Sequence, residues 1–268
     1  MTIQEYKADF QEKCSPHFSK EEIQSFWQWF NENLIRISDS PEIENNYTIW
    51  LRELMSGKPI QYIFGYSFFH KYCFEVTSDT LIPRPETEEL CELILNQNTN
   101  TPLIGIDIGT GTGCIPITLL CERSNWEFKA LDISKAALRV ADTNTKKYQL
   151  SNRLELMNQN FLENNLSANN YDIIVSNPPY IHPNEIESLE NRVTHFEPHM
   201  ALFVTNNILE FYTALFDYFE RNTNPNAQLW METHQDYCDD VVALFNKKFT
   251  AKKIEDLSKN PRFVYVVK

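Results

Sequence analysis

The residues best equipped for chemistry lie in one run, Tyr171 to Ile181, which reads Y-D-I-I-V-S-N-P-P-Y-I. Tyr171–Val175 is apolar and partly β-branched, the pattern of a buried strand. The strand must stop at Ser176-Asn177-Pro178-Pro179-Tyr180, because neither proline can donate to a sheet ladder and both hold φ near turn and polyproline values. The result is a rigid ledge at a strand's C-terminal end, the place where open α/β sheets hold their ligands. The ledge offers the Asn177 carboxamide, the Pro178 and Pro179 carbonyls and the Tyr180 ring. Together these suit a flat group carrying an NH2, either an amide or an exocyclic base amine.

A second constellation lies upstream. The chain has only six glycines, and Gly105, Gly109, Gly111 and Gly113 fall in one predicted strand and the loop after it, with none beyond. Glycine concentrated in this way marks backbone that approaches a ligand closely or takes positive φ. The loop reads Ile108-Gly109-Thr110-Gly111-Thr112-Gly113, with Asp107 just before it. Dinucleotide enzymes use a similar turn with G-x-G-x-x-G spacing. The G-T-G-T-G spacing, with Asp132 ending the next predicted strand where it could accept both hydroxyls of a ribose, favours S-adenosylmethionine over NAD. Asn160-Phe161, past the third strand of this domain, stands where such domains hold adenine: Asn160 for its edge, Phe161 for its face or simply for inward packing. A methyl donor at the loop and an amino acceptor at the ledge predict methyl transfer.

The elements that position these residues are set by periodicity. Residues 1 to about 56 read as a helical module. Ser19 with Glu22 matches a capping box, and Ile23, Phe26, Trp27, Phe30 and Leu34 then share one helical face. Ser40-Pro41 reads as an N-cap with proline at the first helical position, before the stripe Tyr47, Trp50, Leu51 and Leu54. From Gln61 to Thr77 the period shortens to that of a β-hairpin turning at His70-Lys71. Leu81-Ile82-Pro83-Arg84-Pro85-Glu86-Thr87-Glu88 is an extended segment, with Thr87 expected to cap the next helix. Beyond Leu103, strands at Leu103–Asp107, Trp126–Ile133, Leu154–Met157, Tyr171–Val175 and Gln228–Glu232 alternate with helices, and Lys253–Leu257 with Phe263–Val267 form a terminal pair. Such alternation predicts an α/β fold with a doubly wound, mostly parallel sheet.

Composition narrows the class. At 268 residues with 42% hydrophobic and 23% charged residues the chain is an ordinary globular protein, large enough for one main domain and a small one. No run approaches a membrane span, and the N-terminus has no signal-peptide core, so no membrane partner is expected. Six scattered cysteines without a C-x-x-C pair suit thiols in a reducing cytoplasm. Pro198 between His195 and His199 argues against a shared helical face, and no metal site is expected. A net charge of −13 and the lack of a Lys/Arg cluster argue against direct nucleic-acid binding.

Several motifs, in order and nearly end to end, resemble the HemK-type peptide chain release factor glutamine methyltransferases. They are Gly57-Lys58-Pro59-Ile60-Gln61-Tyr62, Leu81 to Glu88, Asp107 to Cys114, Asp132-Ile133-Ser134, Ser176 to Ile181 and Phe196-Glu197-Pro198. N-P-P-Y alone is shared with adenine and guanine amino methyltransferases; I-P-R-P-E-T-E with the helical module and hairpin is far more selective. The resemblance implies a seven-stranded, Rossmann-like class I S-adenosylmethionine-dependent methyltransferase domain over residues 80–268. It also implies a helical domain for substrate recognition over 1–57 and a hairpin linker over 58–79. Its substrate would be the glutamine of the G-G-Q tripeptide in bacterial class I release factors, a protein partner in the cytoplasm.

The site residues so implied are Asn177, Pro178 and Tyr180 for catalysis. Those three with Pro179, Arg84 and Glu86 would serve the substrate, and Arg84 and Glu86 could equally form a salt-bridged linker. Asp107, Gly109, Thr110, Gly111, Thr112, Gly113, Asp132, Asn160, Phe161 and Asn177 would hold the donor. The chain departs from the family pattern in the glycine-free stretch Ala201 to Asn207, in Trp230-Met231-Glu232-Thr233-His234-Gln235, and in having Asn160 where an acid is common. A nucleic-acid amino methyltransferase and a catalytically reduced donor-binding homologue remain the alternative readings.

Overall fold

The computed structural model describes residues 1–163, 170–204 and 207–268. Asn164 and Asn165, which the sequence Glu163-Asn164-Asn165 marks as a short Asn-rich loop, and Thr205 and Asn206 of the glycine-free stretch, lie outside the described residues. The described residues form two compact units, Met1–Tyr66 with Glu190–Phe196, and Ser67–Leu189 with Glu197–Lys268.

The smaller unit is built mainly from helices α1 (Ile3–Cys14), α2 (Lys20–Arg36), α3 (Ile43–Met55) and α4 (Ile60–Phe64). The capping box of α2 is present: the Glu22 N–H donates to Ser19 Oγ at 3.2 Å and the Ser19 N–H to Glu22 at 2.9 Å. Phe26, Trp27, Phe30, Leu34, Tyr47, Leu51 and Leu54 of the predicted stripes share one buried core, which Tyr6 and Phe10 of α1 join. Two local expectations are corrected. Helix α3 begins at Ile43, not after Ser40, whose hydroxyl accepts from the Glu42 N–H in a turn ahead of it. The stretch Gln61–Phe64, read as strand, is helical, because Ile60, Ile63 and Phe64 pack into the helical core; Gly65 in the left-handed conformation then ends the helix. The hairpin starts only at Tyr66, with β1 (Tyr66–Phe69) and β2 (Tyr72–Glu75) joined at His70-Lys71 as expected.

The larger unit holds a seven-stranded sheet. Its strands are β3 (Leu103–Ile108), β4 (Trp126–Asp132), β5 (Leu154–Asn158), β6 (Tyr171–Ser176), β7 (Thr223–Glu232), β8 (Thr250–Glu255) and β9 (Pro261–Val267), in the order β5-β4-β3-β6-β7-β9-β8. All neighbours are parallel except β7 with β9 and β8 with β9. Its helices are α5 (Pro85–Gln97), α6 (Cys114–Glu122) and α7 (Lys135–Lys147). After α8 (Asn191–Phe196), which belongs to the smaller unit, come α9 (His199–Leu202), α10 (Glu210–Asn222) and α11 (Cys238–Phe245). Successive strand residues point to opposite faces, and both faces are covered. Ile173, Val175, Phe128 and Trp230 pack with Leu90, Ile94 and Ile117, whereas Ile174, Ile106, Leu229 and Met231 pack with Tyr212, Leu215, Phe219 and Val241. That double burial is why β6 reads as a continuous apolar run. No described helix is long and apolar enough to cross a membrane.

The topology places the site. From β3 the chain moves outward to β4 and β5 on one side, then returns to β6 and β7 on the other, so the switch point falls between β3 and β6. Ile108 pairs with Ser176 there, and the Ser176 hydroxyl donates to the Ile108 carbonyl at 2.8 Å. The glycine loop and the proline ledge therefore leave adjacent strand ends at the same level.

Gly105 differs from the loop glycines. An added Cβ would sit 2.4 Å from the Phe128 ring of the neighbouring strand, so this glycine makes room for packing. Gly105→Ala is expected to cost roughly 2 kcal/mol or more in urea unfolding, and Phe128→Leu in the same chain should recover part of that loss.

Candidate active site

A cavity of about 570 Å³ opens above the carboxyl ends of the strands, a size ordinary for a small-molecule site. It is lined by Gly109, Thr110, Gly111 and Thr112 of the loop, by Asp132 and Ile133, by Asn160, Phe161 and Leu162, and by Asn177 and Pro179. Two walls come from segments far away in the chain, Thr80 to Arg84 with Thr87, and Pro198 to Val204 with Phe211.

The loop is tied down at both ends. The Gly109 and Thr110 N–H groups donate to the Leu131 carbonyl at 2.9 and 3.0 Å, and the Gly111 N–H donates to Asp132 Oδ2 at 2.9 Å. Gly109 and Gly111 have φ of 80° and 54°, with nothing within 4 Å of an added Cβ. Their requirement is the backbone conformation, together with an open face toward the cavity. The other Asp132 oxygen accepts from the Ser134 N–H at 2.8 Å. Each carboxylate oxygen thus spends one acceptor position on the backbone and keeps another. Burial raises the Asp132 carboxyl, while these backbone donors work against the rise.

Asp107 is fully buried, and neither of its oxygens has a hydrogen-bond partner among the described residues; the Thr110 hydroxyl is likewise buried and unpaired. Burial pushes the Asp107 carboxyl up to about 7, with the nearby Thr110 hydroxyl opposing the rise and the Asp132 charge adding to it. An orphaned buried acid beside an open glycine loop fits a ligand that carries an amino-acid end and a ribose. The residues present therefore suit S-adenosylmethionine.

Around the ledge the structure supplies what sequence reasoning missed. The Asn177 Nδ2 donates to Thr87 Oγ1 at 3.1 Å, Thr87 Oγ1 donates to Glu232 Oε2 at 2.8 Å, and the Tyr180 hydroxyl donates to Glu232 Oε1 at 2.9 Å. Thr87 is not a helix cap. Helix α5 starts two residues earlier, with Arg84 at the N-cap and Pro85 first, which leaves the Thr87 hydroxyl free to turn inward. Burial raises the Glu232 carboxyl, and the Thr87 and Tyr180 hydroxyls and the Arg262 charge oppose it. Position gave a signal for Glu232, as an acid ending a strand on the ligand side of a parallel sheet, but its partners lie far off in sequence.

Arg84 lines the cavity and also forms an ion pair with buried Glu197 at 2.5 Å, while the Ile82 N–H donates to the other Glu197 oxygen at 3.2 Å. This accounts for Phe196-Glu197-Pro198: Glu197 anchors the extended segment that walls the site. Beyond the ledge, Ile181 pairs with Phe203; its N–H donates to the Leu202 carbonyl, and its carbonyl accepts from the Val204 N–H, both at 3.0 Å. The glycine-free stretch, over the part described, is thus a wall of the cavity held to the ledge's exit.

The structure does not bring every predicted residue to the cavity surface. Pro178 is buried, and Tyr180 is turned onto Glu232. Asp107 lies beneath the loop, and Gly113 is covered by Ile117 and Ala141. Glu86 also lies outside the lining and acts on Glu232 only through its charge. Phe161 lines the cavity but packs its ring inward, 5.2 Å from Phe211 and 5.4 Å from Tyr218. Asn160 lines the cavity with its amide bonded to Glu163 at 2.9 Å.

The sheet order with its terminal antiparallel pair, the glycine loop and the ledge define a class I methyltransferase. Among solved structures, a methyltransferase from Pyrococcus furiosus shares the fold with a TM-score of 0.54 at 14% identity, over 84% of this chain and 98% of that one. Residues 89–219 match the family model for the methyltransferase small domain. A release factor glutamine methyltransferase of Flavobacterium psychrophilum is 35% identical over 99% of both chains. Another, from Lactococcus lactis, is 39% identical over 76% of this chain and 74% of its own. The chain belongs to the family of release factor glutamine methyltransferases, enzymes that depend on S-adenosylmethionine.

The buried Asp107 has a measurable signature in the ligand-free protein. Below about pH 4 the folded and unfolded chains both carry its proton, and between there and about 7 only the folded chain does. Stability from this group is therefore present at low pH and lost as pH rises through about 7. Relative to Asp107→Asn, the wild-type unfolding free energy is expected to fall by roughly 4 kcal/mol between pH 4 and 8. A difference that stays flat with pH would show that Asp107 is not an isolated buried acid.

Proposed function

We propose that this chain transfers a methyl group from S-adenosylmethionine to the side-chain amide nitrogen of the glutamine in the G-G-Q tripeptide of bacterial peptide chain release factors. The observation that carries this reading is the meeting, in one cavity, of Asn177 from the ledge with the glycine loop and Asp132. The full-length similarity to release factor glutamine methyltransferases supports the choice of acceptor.

An amide nitrogen is a weak nucleophile, because its lone pair is delocalised into the carbonyl. When bound, S-adenosylmethionine supplies a methyl group made electrophilic by its sulfonium. The residues of this chain then have positioning as their task. Asn177 Oδ1 and the Pro178 carbonyl accept the two N–H bonds of the substrate amide and favour pyramidalisation of its nitrogen. Tyr180, its hydroxyl held on Glu232, backs the ledge from outside the cavity lining, and Pro179 keeps the ledge stiff. No side chain is assigned as general base. Asp132 takes the ribose hydroxyls with its remaining acceptor positions, and Gly109 to Thr112 approach the donor with open backbone. Asp107, Gly113, Asn160 and Phe161 complete the donor side, while Arg84 shapes the wall near the substrate and Glu86, outside the lining, acts through its charge on Glu232. The N-terminal helical unit recognises the release factor. A net charge of −13 disfavours a nucleic-acid acceptor, and the enzyme works in the cytoplasm beside its substrate.

Asn177→Ala is expected to lower methylation of recombinant release factor by at least about 100-fold, a loss much larger than the accompanying change in donor affinity measured by calorimetry. Near-normal turnover in that variant would sink the assignment of Asn177. Offering DNA and RNA beside the release factor, with tritiated methyl donor, checks the acceptor; label on nucleic acid alone would overturn it.

A further inference from the structure

The ledge has a polarity problem that its own residues do not solve. A carboxamide presents an oxygen and an NH2 of nearly the same shape, and only the oxygen can accept an N–H from a substrate amide. If Asn177 were turned the other way, it would meet the substrate donor to donor.

We infer that Glu232 and Thr87 are positioning residues for methyl transfer: a buried carboxylate sets the direction of a hydrogen-bond chain that turns the Asn177 oxygen toward the acceptor amide. This rests on the proposed glutamine methylation. The proton count carries it. Glu232 accepts through both of its oxygens, from Thr87 and from Tyr180, so the one Thr87 hydroxyl proton goes to Glu232 Oε2 at 2.8 Å. Thr87 Oγ1 then has only lone pairs to offer, and Asn177 must approach it with Nδ2, as it does at 3.1 Å. The carboxamide oxygen is left as the acceptor end. The second Glu232 oxygen takes the Tyr180 hydroxyl at 2.9 Å, so one side chain orients both flanks of Pro178-Pro179. Glu232 and Thr87 are 1% and 3% exposed, so water cannot stand in for either bond. The Glu232 backbone is held as well, its carbonyl accepting the Tyr212 hydroxyl at 3.1 Å.

Removing any link should degrade orientation without touching the donor site. Thr87→Val keeps the shape and deletes the hydroxyl. Thr87→Ser keeps the hydroxyl. Glu232→Gln puts a donor where two acceptors are needed, so one of its two partners must reverse. In steady-state assays with full-length release factor and saturating S-adenosylmethionine, T87V and E232Q should each lose roughly 10- to 100-fold in kcat. Acceptor KM and donor Kd should move by less than about 3-fold, and T87S should recover most of the rate. The double variant T87V/E232Q should be no worse than the more impaired single one, since both cut the same chain. Wild-type kcat in T87V would overturn the inference, and so would T87S as impaired as T87V. A loss of donor affinity and of thermal stability in step with kcat would reduce both residues to scaffolding and overturn it too. Wild-type enzyme inert toward release factor would instead refute the functional reading on which the inference stands.

Discussion

The parallel pairing of β3 with β6 is the constraint on which the rest of the site depends. Ile108 and Ser176 are the last paired residues, and the Ser176 hydroxyl on the Ile108 carbonyl ties the two ends together. Because the pairing is in register at that point, the glycine loop and the proline ledge emerge side by side. A slip of two residues along the strands would move one of them by more than about 6 Å. Sheet order matters for the same reason, since only at the switch point do the connections on either side turn away and leave a crevice. The apolar cores on both faces bury Ile173, Ile174 and Val175 completely and so hold β6 in place beside β3.

Three acids stand near the carboxyl ends of strands of one sheet: Asp107 on β3, Asp132 on β4 and Glu232 on β7. All are raised by burial, yet their surroundings differ. Asp132 is satisfied in part by two backbone N–H groups, Glu232 by two hydroxyls, and Asp107 by no described partner. A carboxylate that takes backbone donors stiffens a loop. One that takes hydroxyls sets their proton direction. One left without a partner keeps its capacity for something not part of the chain. The same kind of group thereby acquires three uses from what the fold places next to it.

Much of this was legible in the sequence, because the requirements were local. The β6 run, the prolines that stop it, the positive-φ glycines and the Ser19–Glu22 box each announce themselves through neighbours a few residues away. What was not legible depended on distant partners. Thr87 at the start of α5 has the appearance of a cap, and only Glu232, 145 positions on, reveals its other use. Gly105 resembles its loop neighbours until Phe128 is seen lying over it. Residues Gln61–Phe64 carry a strand-like composition but are helical, because their apolar side chains complete the helical core. Arg84 combined both expectations, a cavity wall and a structural ion pair, once Glu197 was in place.

The small unit takes residues Glu190–Phe196 from the middle of the catalytic sequence. Arg192 there reaches Glu22 at 3.5 Å, within the same unit. The chain accordingly passes from one unit to the other three times, at 66–67, 189–190 and 196–197. Neither unit is a contiguous stretch of polypeptide. A gene cut at the first boundary would give an N-terminal fragment missing one of its own helices and a C-terminal fragment carrying a piece that belongs elsewhere. The two units are thus bound to a common inheritance: neither can be exchanged, shuffled or expressed alone by a single break in the coding sequence.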